Sequence, residues 1–127
     1  ITLAAAEVAD FVDAKFVCVF TESGDAARRM SRLRFRVPMK AFTPDPAIRR
    51  RMALIWGIES FVVERVNHTD AMYRQVDEVL LREGLAEIGD KVVVISGSPP
   101  GISGSTNDMR VHIIGDAINA AAPAWQD

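Results

Sequence analysis

Phe16-Val-Cys-Val-Phe-Thr-Glu-Ser-Gly24 runs directly into Asp25-Ala-Ala-Arg-Arg-Met-Ser-Arg-Leu33. Five apolar residues without alternation read as a strand covered on both faces. Thr-x-Ser-Gly then turns the chain into a helix start. Helix-start N–H groups have no partner inside the helix, and the helix dipole adds partial positive charge there. The hydroxyls of Thr21 and Ser23, with Gly24, therefore make either an N-terminal cap or an anion cradle, and the local sequence leaves both readings open.

Working outward, helical and strand patterns alternate. Leu3 to Asp13 reads as a helix with Leu3, Val8, Phe11 and Val12 inward and Glu7, Asp10 and Asp13 outward. Phe16 to Phe20 is the first strand. A helix over about Asp25 to Leu33 is expected to bury Ala26, Met30 and Leu33. Met39 to Thr43 is the second strand, and Thr43-Pro-Asp-Pro46 starts a helix over Ala47 to Trp56, with Ile48, Met52, Ile55 and Trp56 at helical spacing, closed by Gly57. Ser60 to Glu64 is a short third strand. Thr69-Asp70 is read as the cap of a helix that buries Met72, Val76, Val79 and Leu80 and stops at Gly84.

Lys91 to Ile95 is the fourth strand, and Met109 to Ile114, which alternates for most of its length, is the fifth. Continuous apolar runs joined by helices predict a three-layer α/β/α domain whose mostly parallel sheet has helices on both faces. The alternating fifth strand predicts an edge, read as antiparallel. The domain is placed at residues 1–116, and 117–127 reads as a loose tail.

A second loop, Ser96-Gly-Ser-Pro-Pro-Gly-Ile-Ser-Gly-Ser-Thr-Asn107, follows the fourth strand. It is either a lid or a plain connection. Ligands of open α/β sheets sit beyond the carboxyl ends of the strands, so two such loops suggest one cleft. The candidate phosphate-binding residues are Thr21, Ser23 and Gly24 from the turn, and Gly97, Ser98, Gly101, Gly104, Ser105 and Thr106 from the loop.

Composition limits the function. The chain has 127 residues, net charge −2, 49% hydrophobic and 25% charged residues. These values suit one globular domain and argue against nucleic-acid binding. The single Cys18 reads as a small buried hydrophobe, so no disulfide framework exists and a reducing cytoplasm is expected. No apolar run is long enough to span a membrane. The chain opens on Ile1, which leads to the expectation that it was cut from something longer.

There is no G-x-G-x-x-G after the first strand, no Walker loop and no G-x-S-x-G elbow. His68 and His112 lack partners at metal-ligand spacing and read as surface or interface residues. Arg28, Arg29, Arg32, Arg34 and Arg36, and Arg49 to Arg51, read as solvated faces, the alternative being contact with an anion or a neighbouring subunit.

The series Phe20-Thr-Glu-Ser-Gly24, Ala41-Phe-Thr-Pro44, Ile55-Trp-Gly57, Thr69-Asp70, Gly89-Asp-Lys-Val-Val93 and Gly97 to Asn107 resembles the C-terminal domain of pyruvate kinases, over nearly the whole chain. The resemblance implies a sheet ordered 3-2-1-4-5 with the last strand antiparallel, and an allosteric, regulatory role. Phosphoryl transfer from phosphoenolpyruvate to ADP, a step of glycolysis that needs magnesium and potassium, is then expected in a barrel domain absent here. This chain alone is expected to hold no active site and no cofactor.

The family's effector-phosphate role falls on Thr21, Ser23 and Gly24, and its effector-loop role on Gly97 to Thr106. Glu22 stands where a basic or hydroxyl residue is found in enzymes that respond to fructose bisphosphate. Ala26 replaces a further hydroxyl, and Met72 falls near the second-phosphate arginine. The expected effector is therefore a sugar monophosphate or a nucleotide monophosphate. The expected partners are the remainder of a pyruvate kinase chain and a second copy paired through strand five. The alternatives are a free-standing domain of the same fold that binds a small phosphorylated metabolite, and, more weakly, a nucleic-acid binder using the arginine clusters.

Overall fold

The computed structural model describes residues 2–33, 36–96 and 108–119. Helix α1 (Thr2–Phe11) leads to strand β1 (Phe16–Phe20), helix α2 (Asp25–Ser31) and strand β2 (Met39–Thr43). Helix α3 (Pro46–Arg51) continues as a π-helical segment (Met52–Trp56), followed by β3 (Glu59–Val62) and α4 (Thr69–Arg82). Strands β4 (Lys91–Ser96) and β5 (Asp108–Ile113) and a short α5 (Asp116–Asn119) complete the order. Residues 117–119, the first of those read as a loose tail, are thus helical, and 120–127 lie outside the described residues.

The sheet order is β3-β2-β1-β4-β5, as the resemblance implied. β1 pairs in parallel with β2 (Val19 opposite Ala41) and with β4 (Val19 opposite Ile95), and β2 pairs in parallel with β3. β5 runs antiparallel to β4, with Val93 opposite Val111. One face is covered by α1, α2 and α3 with its π-helical extension, where Ala5, Ala9, Ala27, Met30, Ile48 and Met52 meet Val17, Val19, Val93 and Ile95. The other is covered by α4 and α5, where Tyr73, Val76 and Leu80 meet Phe16, Cys18, Phe42 and Val94. Phe42 is fully buried, with Phe20 stacked at 5.0 Å and Phe61 at 5.6 Å between ring centroids. Among the described residues no helix is long and apolar enough to cross a membrane.

Several boundaries differ from expectation for identifiable reasons. α1 ends early because Asp13 takes φ 60, a left-handed conformation that Asp tolerates. Its buried stripe is Ala5, Ala6 and Ala9, whereas Leu3 and Phe11 are 59% and 89% exposed. Small side chains let the helix lie close to the sheet; of the larger apolar residues expected inside, Val8 and Val12 pack against the core and Leu3 and Phe11 do not. α2 stops at Ser31, which leaves Leu33 exposed. Widening of the backbone spiral over Met52–Trp56 shifts the phase of α3, so Ile55, expected inside, is exposed. His68, not Thr69, is the N-cap of α4, and it makes no side-chain cap hydrogen bond.

Candidate functional site

β1 and β4 are neighbours in parallel register, so the Thr21–Gly24 turn and the segment after Ser96 leave the sheet at the same end. Thr21 is buried, and its N–H donates to the Phe42 carbonyl at 2.9 Å. Its Oγ1 accepts from the Gly24 N–H at 2.8 Å, closing the turn. Ser23 Oγ accepts from the Asp25 N–H at 3.3 Å. The cap reading therefore describes bonds that are made. Each hydroxyl keeps its own O–H as a donor, so a ligand role remains chemically open.

Gly24 sits at φ 89, ψ −5. A Cβ built there would lie 2.8 Å from Cζ3 of Trp56 and 3.5 Å from Cγ2 of Ile48. The glycine is needed twice, for its left-handed backbone and for close approach of the π-helical segment. Ala26, read from sequence as a lost hydroxyl position, is a buried core residue, and so is Met72. Gly97, Ser98, Gly101, Gly104, Ser105 and Thr106 lie outside the described residues.

One charged residue lies in the turn and another reaches it from elsewhere in the chain. Glu22 Oε1 lies 2.7 Å from Nη1 of Arg65, which comes from the connection between β3 and α4. The link spans the carboxyl end of β2, the strand between β1 and β3. Sequence reading gave Arg65 no part in the site, because only the tertiary fold brings it to Glu22.

Sequence reading also missed a buried polar cluster on the opposite face. Asp77 is fully buried in α4, and its Oδ1 lies 2.8 Å from His112 Nε2 on β5. Oδ2 accepts from the N–H groups of Ala117 at 2.8 Å and Ile118 at 3.3 Å, which caps α5 from another helix. Burial alone would raise the Asp77 pKa. The hydrogen bonds from His112, Gly115 and Ala117, with the His112 charge, outweigh burial and hold the carboxyl below its ordinary value of 3.8. His112 is thus buried and paired, not the surface or interface residue expected. Tyr73 stacks on it at 5.1 Å, and Arg110 lies over the Tyr73 ring at 4.6 Å. The available signal was Asp77 at core spacing one residue after Val76, an acid where the helix pattern calls for an apolar side chain.

Cys18 is fully buried, and burial pushes its thiol well up from its ordinary value, as suits an inert core residue. Arg36 pairs with Asp10 of α1 and Arg49 Nε donates to the Ser60 carbonyl of β3, which ties separate segments together, while Arg28 pairs with Asp25 within α2. Among the described residues no group of three or more His, Cys, Asp or Glu is placed to hold a metal ion.

Comparison with known proteins agrees with the topology. Residues 1–112 match the family model described as "Pyruvate kinase, alpha/beta domain". The chain is 45% identical to pyruvate kinase of Mycobacterium tuberculosis over 116 residues, 91% of this chain and 25% of that protein. It is 41% identical to pyruvate kinase of Corynebacterium efficiens over 116 residues, 91% of this chain and 24% of that protein. Among solved structures, Cryptosporidium parvum pyruvate kinase in complex with ADP superposes with a TM-score of 0.78 at 27% identity, covering 90% of this chain and 23% of that one. The chain spans about a quarter of the length of these relatives. With the five-strand order and the family match covering nearly all of it, this chain belongs to the pyruvate kinase alpha/beta domain family.

Proposed function

We propose that this chain is the effector-binding and oligomerisation domain of a cytoplasmic pyruvate kinase. Phosphoryl transfer, with its magnesium and potassium, belongs to the three quarters of the relatives' length that the chain does not cover. A sugar monophosphate or a nucleotide monophosphate binds between the Thr21–Gly24 turn and the Gly97–Thr106 loop. The observation that supports this reading is the adjacency of β1 and β4, whose parallel register ends both strands, at Phe20 and Ser96, on the same side of the sheet. The family match supports it, since it makes the sheet that of a pyruvate kinase domain.

The test is titration calorimetry with a hexose monophosphate and with AMP. Ser23→Asp sets a fixed negative charge beside the incoming phosphate, and like charges about 5 Å apart at an effective dielectric of about 20 repel by about 3 kcal/mol. Affinity is expected to fall at least tenfold. Binding equal to wild type would remove Ser23, and the cleft with it.

The oligomerisation part rests on β5, which forms one edge of the sheet and exposes Val111. Ile114, counted from sequence among the edge's apolar residues, is fully buried and belongs to the core. An unpaired edge is either shielded or used, and a twofold pair satisfies both copies with one strand. Ile113→Lys is expected to weaken the dimer by tenfold or more while shifting the melting temperature little. Sedimentation showing the same association state for wild type and variant would defeat this contact.

A further inference from the structure

The hydrogen bonds of the turn raise a question of charge. The Gly24 N–H is engaged by Thr21 Oγ1 and the Asp25 N–H by Ser23 Oγ, so two amides that the start of α2 would offer an anion are already bonded. The two hydroxyls can still donate, but neutral donors do not balance the charge of a phosphate leaving water. Glu22 places a full negative charge in the same turn. Its side chain is only 26% exposed, whereas that of Arg65 is 55% exposed, and Nη1 lies 2.7 Å from Oε1. The turn therefore meets an incoming anion with a carboxylate already held by a guanidinium.

We propose that Arg65 is the phosphate-binding cation of this cleft, and that Glu22 stands in for the ligand's phosphate, holding the guanidinium in place until a phosphate displaces it. This rests on the cleft reading given above. Guanidinium carries five donors in a planar fork that matches carboxylate and phosphate oxygens equally well, so the exchange keeps the same type of bond. A phosphate monoester brings more negative charge than the single carboxylate it replaces. A partly exposed ion pair is a weak interaction that such a competitor can displace. Once released, Glu22 faces the ligand as an uncompensated anion and opposes a second phosphate. The pair thereby selects monophosphate esters over bisphosphates, through a residue from the β3–α4 connection.

The test is calorimetric titration of the protein with a hexose monophosphate, AMP, inorganic phosphate and a hexose bisphosphate, using wild type, Ser23→Asp, Arg65→Ala, Arg65→Lys and Glu22→Gln. Arg65→Ala is expected to weaken monophosphate binding about tenfold or more, with Arg65→Lys intermediate because a point charge replaces the fork. Glu22→Gln is expected to tighten both ligand classes and to tighten the bisphosphate about tenfold more than the monophosphate. Arg65→Ala binding like wild type overturns the assignment, as does Glu22→Gln binding more weakly or with an unchanged bisphosphate-to-monophosphate ratio. If Ser23→Asp loses binding while Arg65→Ala keeps it, the cleft stands and Arg65 falls. If wild type binds none of the four, or Ser23→Asp binds like wild type, both readings fall together.

Discussion

Replacing Asp77 with Ala is expected to lower the melting temperature by about 10 °C or more. The carboxylate is fully buried and hydrogen-bonded to His112 Nε2 and to the N–H groups of Gly115, Ala117 and Ile118. Removing one partner of such a buried network typically costs about 3–5 kcal/mol, because the remaining polar groups stay buried without bonds. For a domain of this size each kcal/mol moves the midpoint by about 3–5 °C. Asp77→Asn retains one acceptor oxygen and should lose about half as much.

The same residue predicts a pH dependence. Its folded pKa lies below the ordinary 3.8, so its stabilisation is complete above that value and is lost as pH falls through the folded pKa. Wild-type stability should therefore fall between about pH 5 and pH 2 more steeply than that of Asp77→Ala. Thermal denaturation by circular dichroism across that range decides the matter. Parallel curves, or an alanine variant within about 1 kcal/mol of wild type, would contradict the role given to the cluster.

Gly24→Ala is expected to cost about 2–4 kcal/mol. A left-handed φ of 89 penalises any L side chain by about 1–2 kcal/mol. The added methyl would also stand 2.8 Å from the Trp56 ring, and such overpacking costs about 1–3 kcal/mol. Relaxation of the turn would pull the Gly24 N–H from Thr21 Oγ1, so the phosphate-ester binding proposed for this turn should weaken together with stability. Trp56→Ala removes the clash but not the backbone strain. The double variant should therefore be less destabilised than the sum of the single ones by about 1 kcal/mol. Strict additivity in denaturant titrations would show that the ring contact does not constrain this glycine.

The alternation of apolar runs and helical patterns was enough to identify an α/β sheet, and β2 was legible to the residue because Pro38 and the Thr43-Pro-Asp-Pro46 turn punctuate both of its ends. The hydroxyl turn was legible for the same reason: Thr21, Ser23 and Gly24 are adjacent, and local chemistry needs no distant partner. What periodicity misjudged was the width of the inner face of α1: Val8 and Val12 pack on the core as expected, but its centre is Ala5 and Ala9, and Leu3 and Phe11 lie outside, since small side chains let the helix sit close to the sheet.

The sequence by itself determined the five strands, the first four helices, their order along the chain and the turn that opens α2, because these follow from spacing, breakers and local hydrogen bonds within a few residues. Only the tertiary structure decided the pairings across distance. Arg65 reaches Glu22 over the end of β2, Asp77 meets His112 between α4 and β5, and Trp56 closes on Gly24 through a π-helical segment. Each joins residues at least 30 positions apart, and such contacts depend on how helices seat on a finished sheet, a property that no local pattern encodes.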